Sequence, residues 1–213
     1  MILAEEDAAL FYRAWGALLT WVNDRRKVVA PFPRPTPGNP IDPKLATQIR
    51  DVVWADESLR EQFLADGPTD LGPAERELVA SWKHRVRSQF VIERHLQRHS
   101  IFMSDAVYGV RGIYTPLEVM FPDVPMFVQA VLIPFRDVII TDGLLQSYPV
   151  QISFGGGARR SFREQYSATR AAGQVRTRLP WDAVSELHTD PTRSTGRRKA
   201  AEAQRRAPRS RPA

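Results

Sequence analysis

The stretch Val131–Leu145, VLIPFRDVIITDGLL, sets two apolar runs on either side of Arg136-Asp137 and closes on a second polar pair, Asp142-Gly143. Val131 to Ile133 and Val138 to Ile140 have the β-branched content of buried strands, and a two-residue polar break between such runs reads as a hairpin. Asp142-Gly143 is a strong turn or bulge dipeptide. Its aspartate either pins a bulge or faces a cleft, and the bulge is the preferred reading.

Working outward, FVIERHL, SIFMS and AVYGVRG are short β-rich runs, with Ser104-Asp105 as a tight turn between the last two. TPLEVMF follows, where Thr115 and Glu118 with Pro116 between them form a capping box for one or two helical turns. MFVQAVLIPF and DVIITDG make the hairpin about Arg136-Asp137, and PVQISF supplies a last strand. Some six short strands with brief connections predict an antiparallel sheet or small barrel over residues 84–158, not a doubly wound α/β sheet.

Upstream, residues 1–83 read as helical. EEDAALFYRAWGALLTWVNDRRK sets Phe11, Trp15, Leu18, Leu19 and Val22 at helical spacing, with acids in front and Arg25, Arg26 and Lys27 behind. Trp15 and Trp21 are taken as core rather than as a partner surface. Six prolines between Pro31 and Pro43 make residues 31–43 an extended connector, a likelier role than a PxxP ligand. Leu45, Ile49, Val52 and Val53, then Leu59, Phe63 and Leu64, then Leu78, Val79 and Trp82 mark three further helical pieces.

Downstream, GGGARRSFREQYSATRAAG reads as a helix carrying Phe162 and Tyr166 and ended by Gly173; TRLPWDAVSELH adds a short element anchored by Trp181 and Leu187. These close the chain over residues 159–192. The expected class is therefore α+β: N-terminal helices, a β module, a C-terminal helix and a disordered basic tail.

Charge defines that tail. The chain of 213 residues has a net charge of +6. Residues 193–213 hold Arg193, Arg197, Arg198, Lys199, Arg205, Arg206, Arg209 and Arg211 against Glu202 alone, so the body ahead of them is close to neutral. With no aromatic residue and no aliphatic one larger than alanine, the tail cannot offset its ordering entropy. It is a candidate binder of nucleic acid or another polyanion, although arginine outnumbers lysine 26 to 4 throughout, which weakens arginine as a phosphate signal. The absence of cysteine excludes disulfides and thiol chemistry. An acidic opening and the lack of a long apolar run predict a soluble cytoplasmic protein with no membrane partner.

The run IERHLQRHSIFMS, followed by VYGVRG, VLIPFRDVIITDGLL and a glycine-rich turn before a helix with a tyrosine, resembles a group of uncharacterised bacterial proteins sharing this motif order. The resemblance covers roughly residues 75 to 175. It implies that the β region is a single module and carries no activity with it.

Several sites are candidates. Gly155, Gly156 and Gly157 precede a helix with free N-terminal amides, and Arg159, Arg160 and Ser161 are ready donors, which suits an anion, with Arg163 joining if the helix faces the site. The alternative is a strand-to-helix turn needing positive φ, and it is preferred. Among carboxylates, Asp105 and Asp137 suit turns and Glu118 its cap, leaving Glu93 and Asp142 as catalytic candidates. His95 and His99 share a face on a helix but lie about 13 Å apart on a strand, so no metal is expected, nor any cofactor. Phe102, Tyr108, Tyr114 and Tyr148, with Arg87, Arg94, Arg98 and Arg111, offer base stacking if the sheet exposes them. The leading expectation is a non-catalytic binding or accessory module contacting nucleic acid, another polyanion or a protein partner; the alternative is an enzyme acting on a phosphorylated or anionic small molecule at the glycine-rich turn.

Overall fold

The computed structural model describes residues 1–30, 42–147 and 155–181. Most of the proline-rich connector, Tyr148 and the PVQISF run, Leu187, His188 and the basic tail lie outside them.

Four helices come first: α1 (Glu5–Arg26), α2 (Pro43–Ala55), α3 (Glu57–Asp66) and α4 (Pro73–Ser81), followed by a 3₁₀ turn at Trp82–His84. In α1 the three acids occupy the first turn, Arg25 and Arg26 the last, and Phe11, Trp15, Leu18, Leu19 and Val22 are all buried. α2 begins one residue ahead of the apolar period, because Asp42 caps the Lys44 amide and Pro43 takes the first helical position, where its missing N–H costs nothing. Three tryptophans tie the helices together. Trp15 stacks on Trp54 at 5.3 Å, and Trp82 meets both edge-on. Trp21 is half-buried, edge-on to Phe63.

The β module consists of β1 (Val86–His95), β2 (Ser100–Met103), β3 (Val107–Arg111), a one-turn helix α5 (Leu117–Met120), β4 (Met126–Phe135), β5 (Val138–Thr141) and a two-residue β6 (Gln146–Ser147). β1 pairs with both β2 and β4, β2 with β3, β3 with β5, and β5 with β4, so five strands close a ring. Of the two expected forms, the small barrel is the one found. All its pairs are antiparallel except β3 with β5. The exception is geometric, since an odd number of strands cannot alternate direction all the way round a closed ring.

β1 carries an extra residue at Glu93, between the pairs Ile92–Phe102 and Arg94–Ile101. The resulting bulge bends the strand, and its first half pairs with β4 while its end pairs with β2. Inside the barrel lie Phe90, Ile92, Phe102, Tyr108, Val110, Val128, Leu132 and Ile139, with Leu117 of α5 packed among them. The capping box expected at Thr115 does not form. Pro116 takes the N-cap position and makes no side-chain bond, which leaves Thr115 one residue too early.

The opening stretch alternates between two buried faces. Leu132 and Ile139 point inward, whereas Val131, Ile133, Phe135, Val138 and Ile140 pack outward against the helices in one shared core. Arg136, at φ 51°, turns the hairpin and donates to Asp7 at the start of α1.

The last described helix, α6 (Gly156–Ala171), lays Phe162 and Tyr166 on Ile101, Met103 and Val107, the outer face of β2 and β3. The chain then returns to β3, where the Gly109 amide donates to Arg176 and the Arg176 amide to Val107. Leu179 joins the barrel interior, and Trp181 packs on the helical core, donating to Glu77 at 3.0 Å.

Candidate functional site

Glu93 is the bulge residue of β1, and its side chain is only 5% exposed. Such a carboxylate needs a partner, and Arg94 supplies a two-pronged one through Nε and Nη2. The Arg94 guanidinium also lies 4.7 Å over the ring of Tyr166, so α6 is tied to β1 by charge and by ring contact together.

Beside this pair, the end of β1 and the start of α6 enclose a cleft of about 590 Å³. Its charged lining is Arg94, Arg159 and Arg163 against Glu93, and its apolar lining is Leu96, Val124, Pro125 and Phe162, with His95 completing it. Arg159 and Arg163 stand one turn apart on α6, which puts both on the cleft side. Of the six residues expected around the glycine-rich turn, only Arg159 lines this cleft; Arg160 and Ser161 are exposed elsewhere on the helix. Arg163 joins it, as the helical period allows.

The glycines themselves need no positive φ. Gly155 is extended at φ −60°, Gly156 and Gly157 are helical, and a Cβ built on any of the three would meet nothing within 4 Å. The turn reading therefore does not explain them. They leave the helix start bare and accessible.

Asp142 sits elsewhere, fully buried at the exit of β5. It accepts from Trp54 Nε1 at 2.9 Å and from the Leu144 amide at 3.1 Å, and faces Arg50 at 3.5 Å. Burial pushes its carboxyl above the usual range, opposed by Arg50, Trp54 and Leu144. Gly143 beside it has φ 81°, which a side chain rarely adopts. Asp142 thus pins the chain after β5 and fastens α2 to the barrel.

His95 and His99 have separate surroundings. His95 is engaged at both ring nitrogens, Nε2 donating to the Phe121 carbonyl at 2.8 Å and Nδ1 meeting the Ser100 hydroxyl at 2.7 Å. His99 lies in the turn after β1, half-buried against Gly109, and burial holds it below its ordinary pKa, with Arg111 and Arg98 adding to the effect. Among the described residues no group of three potential ligands could hold a metal ion.

Among the described residues, the aromatics expected to form a base-stacking surface on the sheet do not form one; Tyr148 lies outside them. Phe102 and Tyr108 are inside the barrel, and Tyr114, half exposed, is stacked on Tyr12 at 5.4 Å. Of the arginines grouped with them, Arg87 pairs with Asp51 and Arg94 with Glu93. The period-2 pattern does not say which face is inside, and α6 covers the outer face of β2 and β3.

Arg94, Val124 and Pro125 complete a site that sequence reading of the glycine-rich turn did not assemble. Arg94 carried a signal, as the neighbour of a carboxylate in an apolar strand. Val124 and Pro125 carried none, because only the barrel's closure brings the start of β4 beside the end of β1.

No helix among the described residues is long and apolar enough to cross a membrane. Compared with family models, with curated proteins and with solved structures, the chain gives no match.

Proposed function

We propose that this chain is a non-catalytic binding module whose ligand is anionic and whose recognition site is the cleft between β1 and α6. One observation carries the reading: among the described residues that line the cleft are three arginines and a single carboxylate, Glu93, which Arg94 clamps. A ligand entering there meets a lining whose formal charge is positive, three arginines against one carboxylate, with Arg159 and Arg163 both exposed. The size lies within the range of small-ligand pockets, about 300–1,000 Å³.

The described residues that line the cleft do not assemble a reaction centre. General acid–base chemistry needs a carboxylate or imidazole able to exchange a proton with substrate. Glu93 is bound to Arg94, both His95 nitrogens are engaged, and Asp142 is buried away from the cleft. Binding without turnover is what the arrangement supports. In this reading the basic tail at 193–213 adds non-specific attraction for the same class of ligand.

The test is a melting-temperature titration of the full chain with inorganic pyrophosphate at millimolar concentration. A rise that disappears in Arg159→Ala/Arg163→Ala supports the reading. A rise that survives in that variant, or no rise at all, removes it.

A further inference from the structure

We propose that the anionic ligand is single-stranded nucleic acid, laid along α6 with one base seated in the cleft; this rests on the cleft being the anion site. The argument begins with the charge of the helix face. Residues 155–181 contain six arginines and a single acid, Glu164, so positive charge is concentrated in the body as well as in the tail. Arg159, Arg163 and Arg170 are four and seven residues apart, which places them in one stripe beside the half-buried Phe162 and the buried Tyr166. All three arginines are exposed, and Glu164 falls on the far side of the helix.

The stripe runs for about 16 Å at 1.5 Å per residue. Phosphates follow one another about every 3.4 Å along a stacked strand, so the row spans about five nucleotides. A polymer tracking this row arrives at the cleft, because Arg159 and Arg163 belong to both. There the lining changes from cationic to apolar, with Phe162 beside Leu96, Val124 and Pro125. A charged edge next to an apolar slot fits a nucleotide, whose phosphate and flat base need those two environments side by side.

The slot also selects the strand state. A base within a duplex is paired and stacked, and extracting it costs a few kcal/mol, whereas a single strand offers its bases freely. Five-stranded Greek-key barrels include one class that binds oligonucleotides or oligosaccharides over strands 2 and 3. Here α6 covers that face, and its own arginine stripe replaces the sheet as the surface presented to a ligand. A sulfated polysaccharide shares the anionic backbone but has no flat apolar group for the slot.

Fluorescence anisotropy of a labelled oligothymidylate of about twelve nucleotides, enough to cover one such site, tests this with the full chain. Competitors are a blunt duplex of equal length and a heparin fragment of matched charge. The expected result is preferential binding of the single strand and a loss of about tenfold or more in Arg159→Ala/Arg163→Ala/Arg170→Ala. The slope of log K against log salt should become shallower by about 2, from three lost phosphate contacts at about 0.7 each. Phe162→Leu keeps an apolar anchor under α6 but removes the stacking ring, and it should weaken the single strand while leaving heparin unchanged. Unchanged affinity in the triple variant, or equally tight duplex or heparin binding, overturns the proposal. If pyrophosphate stabilises the protein through Arg159 and Arg163 but the oligonucleotide does not bind, the anion site stands and the nucleic-acid assignment falls. If neither binds, both fall.

Discussion

Trp54 donates its indole N–H to the carboxylate of Asp142, 88 residues further along the chain, across a distance of 2.9 Å in a fully buried setting. With Arg50 one turn away on α2, also donating to the Leu144 carbonyl, the contact joins the helical layer to the exit of β5. Asp142→Ala should cost about 3–5 kcal/mol, because it removes the buried partner of both Trp54 and Arg50 and leaves the guanidinium only the half-exposed Asp51, at 3.1 Å, as a counter-charge. Replacing both partners by apolar residues, Arg50→Leu with Asp142→Leu, should restore much of the loss. Urea denaturation of the two variants measures this, and a double variant worse than Asp142→Ala would show that the ion pair is not the source of the penalty.

His99 gives the fold an acid-sensitive contribution. Burial and the nearby Arg111 and Arg98 hold its folded pKa below the ordinary 6.5. The unfolded chain therefore binds the proton more readily, and the contribution is complete above about pH 6.5 and lost as pH falls from there toward the depressed folded value. Unfolding free energies measured from pH 7.5 down to 5 should decline more steeply in the native chain than in His99→Gln. Parallel curves would assign the acid sensitivity to another group.

Gly109 is needed for a reason of space. A Cβ there would sit 2.8 Å from His99 Cδ2 and 3.0 Å from Nε2, well inside contact distance, against a ring that is itself partly buried. Gly109→Ala should lower stability by about 1–3 kcal/mol, the usual cost of overpacking. Adding His99→Ala should return part of it, since the obstructing ring is then gone. Calorimetric melting of the single and double variants decides the point.

Leu179 anchors an irregular segment and has a large expected effect. It is almost fully buried in the barrel core although it belongs to a stretch without regular secondary structure. Leu179→Ala should cost about 2–5 kcal/mol, as much as a strand residue would, whereas Arg178→Ala at the exposed neighbouring position should be near neutral. Equal, small effects at both positions would mean that the segment is not part of the core.

Much of this architecture was legible in the chain because local signals were strong. The hairpin at Arg136-Asp137, the turn at Ser104-Asp105 and the apolar stripe from Phe11 to Val22 each follow from a period or a turn dipeptide over a few residues. Barrel closure did not follow, since β1 pairing with β4 joins Val86 to Leu132 and has no local signature. The same long-range step hides the cleft, whose halves come from β1, the approach to β4, and α6. Arg50 shows another limit. Its position in the α2 period is an interior one, and the neighbouring Asp51 gave no sign that Asp142 and the Leu144 carbonyl would arrive from the far end of the barrel to complete its partners.

The short return of the chain past β3 has a consequence for biogenesis. Val107 and Gly109 bond to the backbone of Arg176, which occupies hydrogen-bonding groups that β5 does not reach. During synthesis those groups stay open after all five barrel strands have been made, and an open strand edge is a template for pairing with another chain. The growing polypeptide thus keeps one open edge on β3 between the completion of β5 and the emergence of residues 174–176, which makes the segment after α6 the seal on the finished barrel.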